Sequence, residues 1–461
     1  MDHQQDATAG SPAPLPKRQI ALFALPALPH AFIALPLSIV IPTFYAANTA
    51  VTLTQIALVT TISRLADAFI DPVIGILSDR TRSRLGKRKP WLIAAAIMCA
   101  LSVFFLFRPP ADADIVYFGV WAFTLYIGFS FFEIPRNAWS TELSRNYMER
   151  SRIQTYVAIC NISGSLVFWI LPLLLFSLTQ TTAITGTTLT AIGWLYALLM
   201  PAAVLLAAFL VPNGDAPPAP PSSLGIFVKA VVRNRPLWLY FAAIGCWGLG
   251  QGMYLSTIMM VMTDYMKLGS IFPFLMILFF VVQIAAMPIW LRIIERIGKH
   301  RAWALGMTCD VLTRPLILLF VSQEMAMLPM ILITCLGAFM NAPSNAAPAA
   351  ILGDVVDYDI LKTGINKAGK FFAFNTLIMK AAMAAGAGIA FAVLGAANYQ
   401  VGGANDAAAN MSLLVCYLVI PAIGLLAASL IIMRFPITRA RQEVIRRRIE
   451  RRAIPAANDA A

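Results

Sequence analysis

The chain has 461 residues, 59% of them hydrophobic and only 12% charged, with a mean hydropathy of +0.75. Soluble chains carry about a quarter charged residues, so a soluble fold is excluded and a membrane protein is indicated. The formal net charge of +13 does not mark a nucleic-acid binder, because the positive residues are sorted by position along the chain.

Residues 1–18 are polar and proline-rich and read as a disordered tail, with no apolar segment ending in a small-residue cleavage site. A spanning helix needs roughly 20 mostly apolar residues. Twelve such stretches follow, at 19–45, 53–78, 90–107, 114–140, 152–178, 188–211, 236–262, 271–296, 302–321, 326–352, 371–396 and 411–434. The first six occupy 19–211, a Pro/Ser-rich connector fills 212–235, the other six occupy 236–434, and a basic tail ends the chain at 435–461. A faint repeat relates the two sets: Asp79-Arg80 after span two is echoed by Glu295-Arg296 after span eight, and Glu142 after span four by Asp354 after span ten. The expected fold is an all-α integral membrane protein of major facilitator type, with two six-helix halves around a central cavity.

Sorting the 35 Lys/Arg by these spans leaves two, Arg108 and Lys267, on one side, four (Arg64, Arg136, Arg314, Lys380) within the membrane, and 29 on or near the other side. The positive-inside rule makes that side cytoplasmic, with both termini there. A bacterial inner membrane is the expected location. The run Arg446–Arg452 reads as a helical tail drawn to anionic headgroups rather than as an RNA site. The six cysteines all lie within spans and form no CxxC pair, so apolar packing accounts for them better than a disulfide or zinc framework.

Span two carries the most informative chemistry. Arg64, Asp67 and Asp71 share one helix face within an otherwise apolar stretch. Ionised carboxylates there are costly unless paired or bound to an ion, so the face is a candidate cation or proton site. It also reads as a static ion network that only orients helices. Glu133 and Arg136 in span four are candidates to pair with each other or to bind a solute. Asp310 and Arg314 in span nine have the spacing of a structural helix pair. Gln251, Tyr254, Asn341 and Asn345 can bind a polar ligand or join helices. His30, between Pro29 and Pro36, is either a proton carrier or a structural histidine. No HExxH, Gly-x-Ser-x-Gly, P-loop or metal-spaced His/Cys cluster is present, so an enzyme is not expected. No loop is long enough to fold as the sensory domain of a receptor.

Three ordered motifs carry a resemblance. Asp67-x3-Asp71-Pro72-x2-Gly75-x3-Asp79-x-Thr81-Arg82-Ser83-Arg84-x-Gly86-Lys87-x-Lys89-Pro90-Trp91 is the first. Gly353-Asp354-Val355-Val356-Asp357-Tyr358 with Thr363-Gly364 and Lys380 is the second, and Glu133-Ile134-Pro135 with Glu142-Leu143 the third. Together they resemble the glycoside–pentoside–hexuronide:cation symporters, the family of melibiose permease. The resemblance implies that Asp67 and Asp71 hold the coupling ion, sodium or a proton, with Ser130 contributing and Lys380 beside them. Carboxylates plus a hydroxyl suit sodium, which takes oxygen ligands. No other cofactor is expected. The expected partners are a small solute, the coupling cation and the bilayer, for a protein that works as a monomer.

By the same resemblance the solute, a sugar, glycoside or uronate, would meet Glu133, Asn375 and Thr376; Arg136, Asn137, Asn345 and His30, where the sequence departs from the family pattern or the pattern is silent, are the other polar candidates for that site. The sequence departs from melibiose permease where Ala31 and Ala158 replace a helix-one acid and a helix-five arginine, which argues against a galactoside. A lysolipid or other amphiphile is the alternative cargo. Asp79, Arg80, Arg84, Glu142, Glu295, Arg296, Asp354 and Asp357, with Arg82 and Lys299, are the expected gating charges at the cytoplasmic side.

Overall fold

The computed structural model of the protein describes residues 15–144, 147–214, 234–316, 327–364, 368–445 and 447–448. The expected connector and both outer tails fall largely outside these residues. Among the described residues all regular structure is helical. The first half contains α1 (Lys17–Ala24), α2 (Ala27–Asn48), α3 (Leu53–Arg80), α4 (Lys89–Leu106), α5 (Ile115–Glu142), α6 (Tyr147–Leu174), the short α7 (Phe176–Thr179) and α8 (Gly186–Leu210). The second contains α9 (Arg235–Met260), α10 (Phe272–Ile297), α11 (Lys299–Thr313), α12 (Met327–Asn341), α13 (Pro343–Thr363), α14 (Ala368–Ala396), α15 (Ala407–Leu414) and α16 (Ile420–Met433). Single π turns extend α9 and join α15 to α16. Among the described residues, nine helical runs are long and apolar enough to cross a membrane. The runs at 53–80, 235–265 and 299–316 coincide with the other three expected spans.

Local chemistry sets the ends of these helices. Thr52 and Gln55 form a reciprocal capping box at the start of α3. Asp114 and Thr185 cap α5 and α8, each accepting the backbone N–H three residues on. Gly298, at φ 91°, turns α10 directly into α11, a conformation that a side chain would strain. Prolines correct three expected boundaries. The first span breaks around Leu25 and Pro26, dividing α1 from α2. The fifth carries Pro172 near its end and stops at Leu174 rather than 178. The tenth bends at Ala342, before Pro343, and then runs on to Thr363 rather than ending at 352. Asp354 and Asp357, expected in a loop after span ten, therefore sit on helix α13.

Among the described residues the most extensive contacts between the halves are α2 with α9, α3 with α14, and α6 with α10. Their closest contacts lie at the end away from the basic loops. Gly388 and Gly395 of α14 face Thr61 and Thr54 of α3 so closely that a Cβ would collide with either hydroxyl. Trp169 of α6 meets Phe272 of α10 edge-on at 5.3 Å, and the Thr182 hydroxyl donates to the Ser270 carbonyl. One apolar core runs across both halves at this end, whereas the basic end of the second half has its own. Asn137, Asn345 and Thr376, nearer the basic end, are exposed. The halves are thus closed at one end and parted at the other. Gly395→Leu is expected to prop the closed end apart. Labelling of a Thr60→Cys probe by an impermeant thiol reagent from that end should rise several-fold, and unchanged labelling would show that the seam tolerates the side chain.

Candidate functional site

Between the halves lies a cavity of about 250 Å³, whose lining includes Arg64 of α3, Tyr126 of α5, and Thr376 and Lys380 of α14. Lys380 is its centre of charge. Its Nζ donates to Glu133 Oε2 at 2.7 Å and stands 4.0 Å from Asp71 Oδ2. One ammonium from the second half therefore joins the expected solute residue of α5 to the expected cation residue of α3. His30 Nε2 approaches the other Glu133 oxygen at 3.7 Å, and its ring stacks on Phe132 at 4.8 Å. The pairing of Glu133 with Arg136, one of two sequence alternatives, does not form. Arg136 lies instead over the Phe132 ring at 5.0 Å, with Nη2 3.5 Å from Asn137 Oδ1.

The expected cation residues lie together on packed helices. Asp67 and Asp71 are one turn apart on α3, Asp67 buried and Asp71 half-buried. Ser130 is buried on α5, one turn before Glu133. Asp67 Oδ1, Asp71 Oδ1 and Ser130 Oγ are each shielded from solvent with no hydrogen-bond partner. Orphaned acceptors of this kind are costly unless something fills them, so this donor set fits a small hard cation. Arg64 turns to the Tyr126 ring, 4.5 Å from its centroid, and makes no described ion pair with either aspartate. Among the described residues no three His, Cys, Asp or Glu side chains converge as a metal site, so a cation here would have only the two aspartates as carboxylate ligands. Three carboxylates (Asp67, Asp71, Glu133) and three cations (Arg64, Arg136, Lys380) make this intramembrane region close to neutral when His30 is uncharged.

Two of the expected solute residues already spend one hydrogen-bonding group within the protein. The Asn375 Oδ1 accepts from the Tyr240 hydroxyl at 2.9 Å, and the Thr376 hydroxyl is bonded to the Phe372 carbonyl at 3.1 Å. Asn137 and Asn345 are exposed on helices of opposite halves.

The family model for MFS/sugar transport proteins matches residues 22–439. The chain belongs to this family. The expected kinship with glycoside–pentoside–hexuronide:cation symporters holds, and the protein is a membrane transporter rather than an enzyme. The isoprimeverose transporter of Lactiplantibacillus pentosus is 24% identical over 378 residues, 79% of this chain and 77% of the relative. An uncharacterized symporter of Synechocystis sp. is 33% identical over 123 residues, spanning 25% of this chain and only 23% of the relative. Among solved structures, the nucleoside transporter NupG superposes with a TM-score of 0.64 at 12% identity, covering 91% of this chain and 100% of that one. That likeness shows the facilitator fold alone.

At the basic end of this facilitator the charges tie helices within each half. Arg88, at the start of α4, donates to Ser78 Oγ at 2.7 Å, to Asp79 Oδ1 at 2.5 Å and to Glu142 Oε1 at 2.6 Å, linking the ends of α3 and α5. Burial works against the Arg88 charge, but the bonds to Glu142 and Asp79 outweigh it and hold its pKa above the ordinary value. In the second half, Lys299 Nζ donates to Asp354 Oδ1 at 2.7 Å. Glu295 receives Arg439 only through its backbone carbonyl, at 2.8 Å, and Gln442 donates to Asp357 Oδ2 at 2.7 Å. Arg80, Arg82, Arg84 and Arg296 take part in none of the described ion pairs, whereas Arg88 and Lys299 do. Sequence reasoning passed over Arg88 because six Lys/Arg crowd residues 80–89 and nothing in residue type separates them. Arg88→Ala should cost roughly 1.5–3 kcal/mol, the worth of charged hydrogen bonds. It would appear as a lower unfolding temperature in detergent, whereas Arg84→Ala should leave that temperature unchanged.

Proposed function

We propose that the protein is a cation-coupled symporter for a sugar or glycoside, taking one sodium ion or proton at Asp67 and Asp71. The observation that carries the reading is the position of Lys380, within reach of Glu133 and Asp71 at once. A cation entering between Asp67 and Asp71 repels Lys380 from Asp71 and leaves it to Glu133 alone, where a solute hydroxyl at Glu133 or Arg136 meets it. Sodium, if it is the ion, would draw oxygens from Asp67, Asp71 and Ser130. The names of the relatives support the solute class: an isoprimeverose transporter, a putative glycoside/cation symporter and a lactose permease. A galactoside held by a helix-one acid and a helix-five arginine does not fit, because Ala31 and Ala158 stand there.

With the basic end cytoplasmic, the conformation is inward-facing: sealed on the outer side by the α3–α14 and α6–α10 contacts and open inward. Both termini would then face the cytoplasm, in the inner membrane of a bacterium. Transport proceeds by rocking the two halves about the midplane site. Purified protein in proteoliposomes, offered labelled glycosides, uronates and lysolipids with and without a sodium gradient at fixed pH, tests this reading. Gradient-driven accumulation of a glycoside or uronate supports it. Accumulation of lysolipid alone sinks the solute class, and indifference to both sodium and proton gradients sinks the coupling.

A further inference from the structure

A second polar cavity lies inside the C-terminal half, away from Lys380. Its volume is about 60 Å³, and Gln251, Tyr254, Asp310, Arg314 and Asn341 supply its main polar lining. Asp310 and Arg314 are both buried, with side chains only 7% and 6% exposed, so α11 turns this pair into the bundle and not to lipid. Arg314 spends two donors on one oxygen, Nε at 3.2 Å and Nη2 at 2.6 Å from Asp310 Oδ2. Its guanidinium lies 4.0 Å from the centre of the Tyr254 ring, and Tyr254 stacks on Tyr417 at 5.2 Å. The third guanidinium nitrogen, Nη1, is shielded from solvent and has no partner, and the same holds for Gln251 Oε1.

An orphaned donor and an orphaned acceptor on one small cavity define what satisfies them. A hydroxyl group does both tasks, accepting from Arg314 and donating to Gln251. An ion does not suit, because the Asp310–Arg314 pair already balances its own charge and an added charge would stand uncompensated in an apolar bundle. The volume admits a hydroxymethyl-sized group or a few waters, not a sugar ring. Access is gated. Phe272 and Leu275 of α10 form part of the wall, and Phe272 is the residue that packs on Trp169 of the other half. Parting of the halves on the outer side removes that packing. Helix α9 carries both sites, since Gly252 and Leu255 line the midplane cavity while Gln251 and Tyr254 line this one.

We propose that Gln251, Asp310 and Arg314 form an outer-side subsite that binds the hydroxymethyl arm of a hexose and so selects hexosides over pentosides. The proposal rests on the sugar reading above. It also gives this chain a guanidinium and an amide oxygen for a sugar hydroxyl in the half opposite the one where Ala158 lacks an arginine.

The test uses matched methyl glycosides that differ only by the hydroxymethyl group, glucoside with xyloside and galactoside with arabinoside, bound to the purified full-length protein and followed by calorimetry. The variants are Gln251→Leu, and Asp310→Leu with Arg314→Met, which removes both charges together so that neither is left buried alone. We expect at least tenfold preference for the hexoside of one pair in the wild type. In both variants it should fall to within about twofold, with pentoside affinity and unfolding temperature retained. A preference that survives in both variants overturns the proposal and leaves the cavity to water. Equal loss of hexoside and pentoside binding also overturns it, because the pair would then only support the fold. A wild type that binds pentosides and hexosides alike removes the subsite but leaves the sugar reading standing. Binding of none of the four glycosides counts against the sugar reading itself.

Discussion

Asp71→Asn is expected to abolish gradient-driven accumulation in proteoliposomes, lowering the accumulation ratio at least tenfold, while solute counterflow without a gradient continues. The substitution keeps the shape of the side chain and removes its charge. A unit charge 4 Å away contributes about 4 kcal/mol at the effective dielectric near a protein surface, so cation affinity should fall by roughly three orders of magnitude. Lys380, now held by Glu133 alone, would no longer report cation occupancy to the solute site. Accumulation needs a bound ion that favours the loaded, reorienting state, and an empty site removes that bias. Asp67→Asn should behave alike, because its orphaned Oδ1 lies on the same helix one turn earlier. A variant that accumulates solute at the wild-type ratio would make the two aspartates structural.

Much of the fold was legible because the bilayer fixes helix length, and apolar runs of the right size announce themselves. The expected boundaries failed where helix and membrane part company. Helix α13 continues eleven residues past the expected end at 352, through Asp354, Asp357 and Asp359 to Thr363. Hydropathy reads such a stretch as a loop, since a helix that has left the hydrocarbon has no reason to be apolar. The bend at Ala342 was legible in the run of prolines and small polar residues, but the break at Leu25–Pro26 was not. Proline within membrane helices is tolerated at many other places here, including Pro36, Pro42, Pro72 and Pro135.

The midplane cluster was legible residue by residue and opaque as an arrangement. Helical periodicity placed Asp67 and Asp71 on one face, and the spacing of Asp310 and Arg314 foretold their pair. That the pair turns into the bundle depends on how α11 is rotated against its neighbours, which spacing of two residues does not contain. Lys380 and Glu133 are 247 residues apart, and sequence sent both to the midplane without showing that they bond to each other. The structure joins them. Their contact comes from the approach of α14 to α3 and α5, a tertiary fact set by glycines such as Gly388 and Gly395 that let the helices close. Arg88 was missed for the same kind of reason: it gains its role from burial against Ser78 and Glu142, not from its type.

Lys380→Met is expected to reverse the sign of the coupling defect, with turnover falling at least a hundredfold while cation affinity rises at least tenfold. Removing the ammonium leaves Asp67, Asp71 and Glu133 facing only Arg64 and Arg136. Losing one partner of a fully buried ion pair costs about 3–5 kcal/mol, and less here, where Lys380 and Glu133 are 25% and 28% exposed; a bound cation is the readiest replacement for the missing charge. The variant should therefore be less stable than wild type in sodium-free buffer at neutral pH and recover as sodium is added, if sodium is the ion. If the ion is a proton, recovery should follow lower pH instead, because protonating one surplus carboxylate restores the balance. Either way the cation becomes part of the resting structure, and the carrier should stall with it bound. Thermal unfolding across a sodium titration at fixed pH, with choline as the control, and across pH without sodium, separates the two ions in one protein. A Lys380→Met protein whose unfolding temperature ignores sodium, choline and pH alike would show that Lys380 does not balance these carboxylates, and the coupling mechanism built on its two contacts would fall.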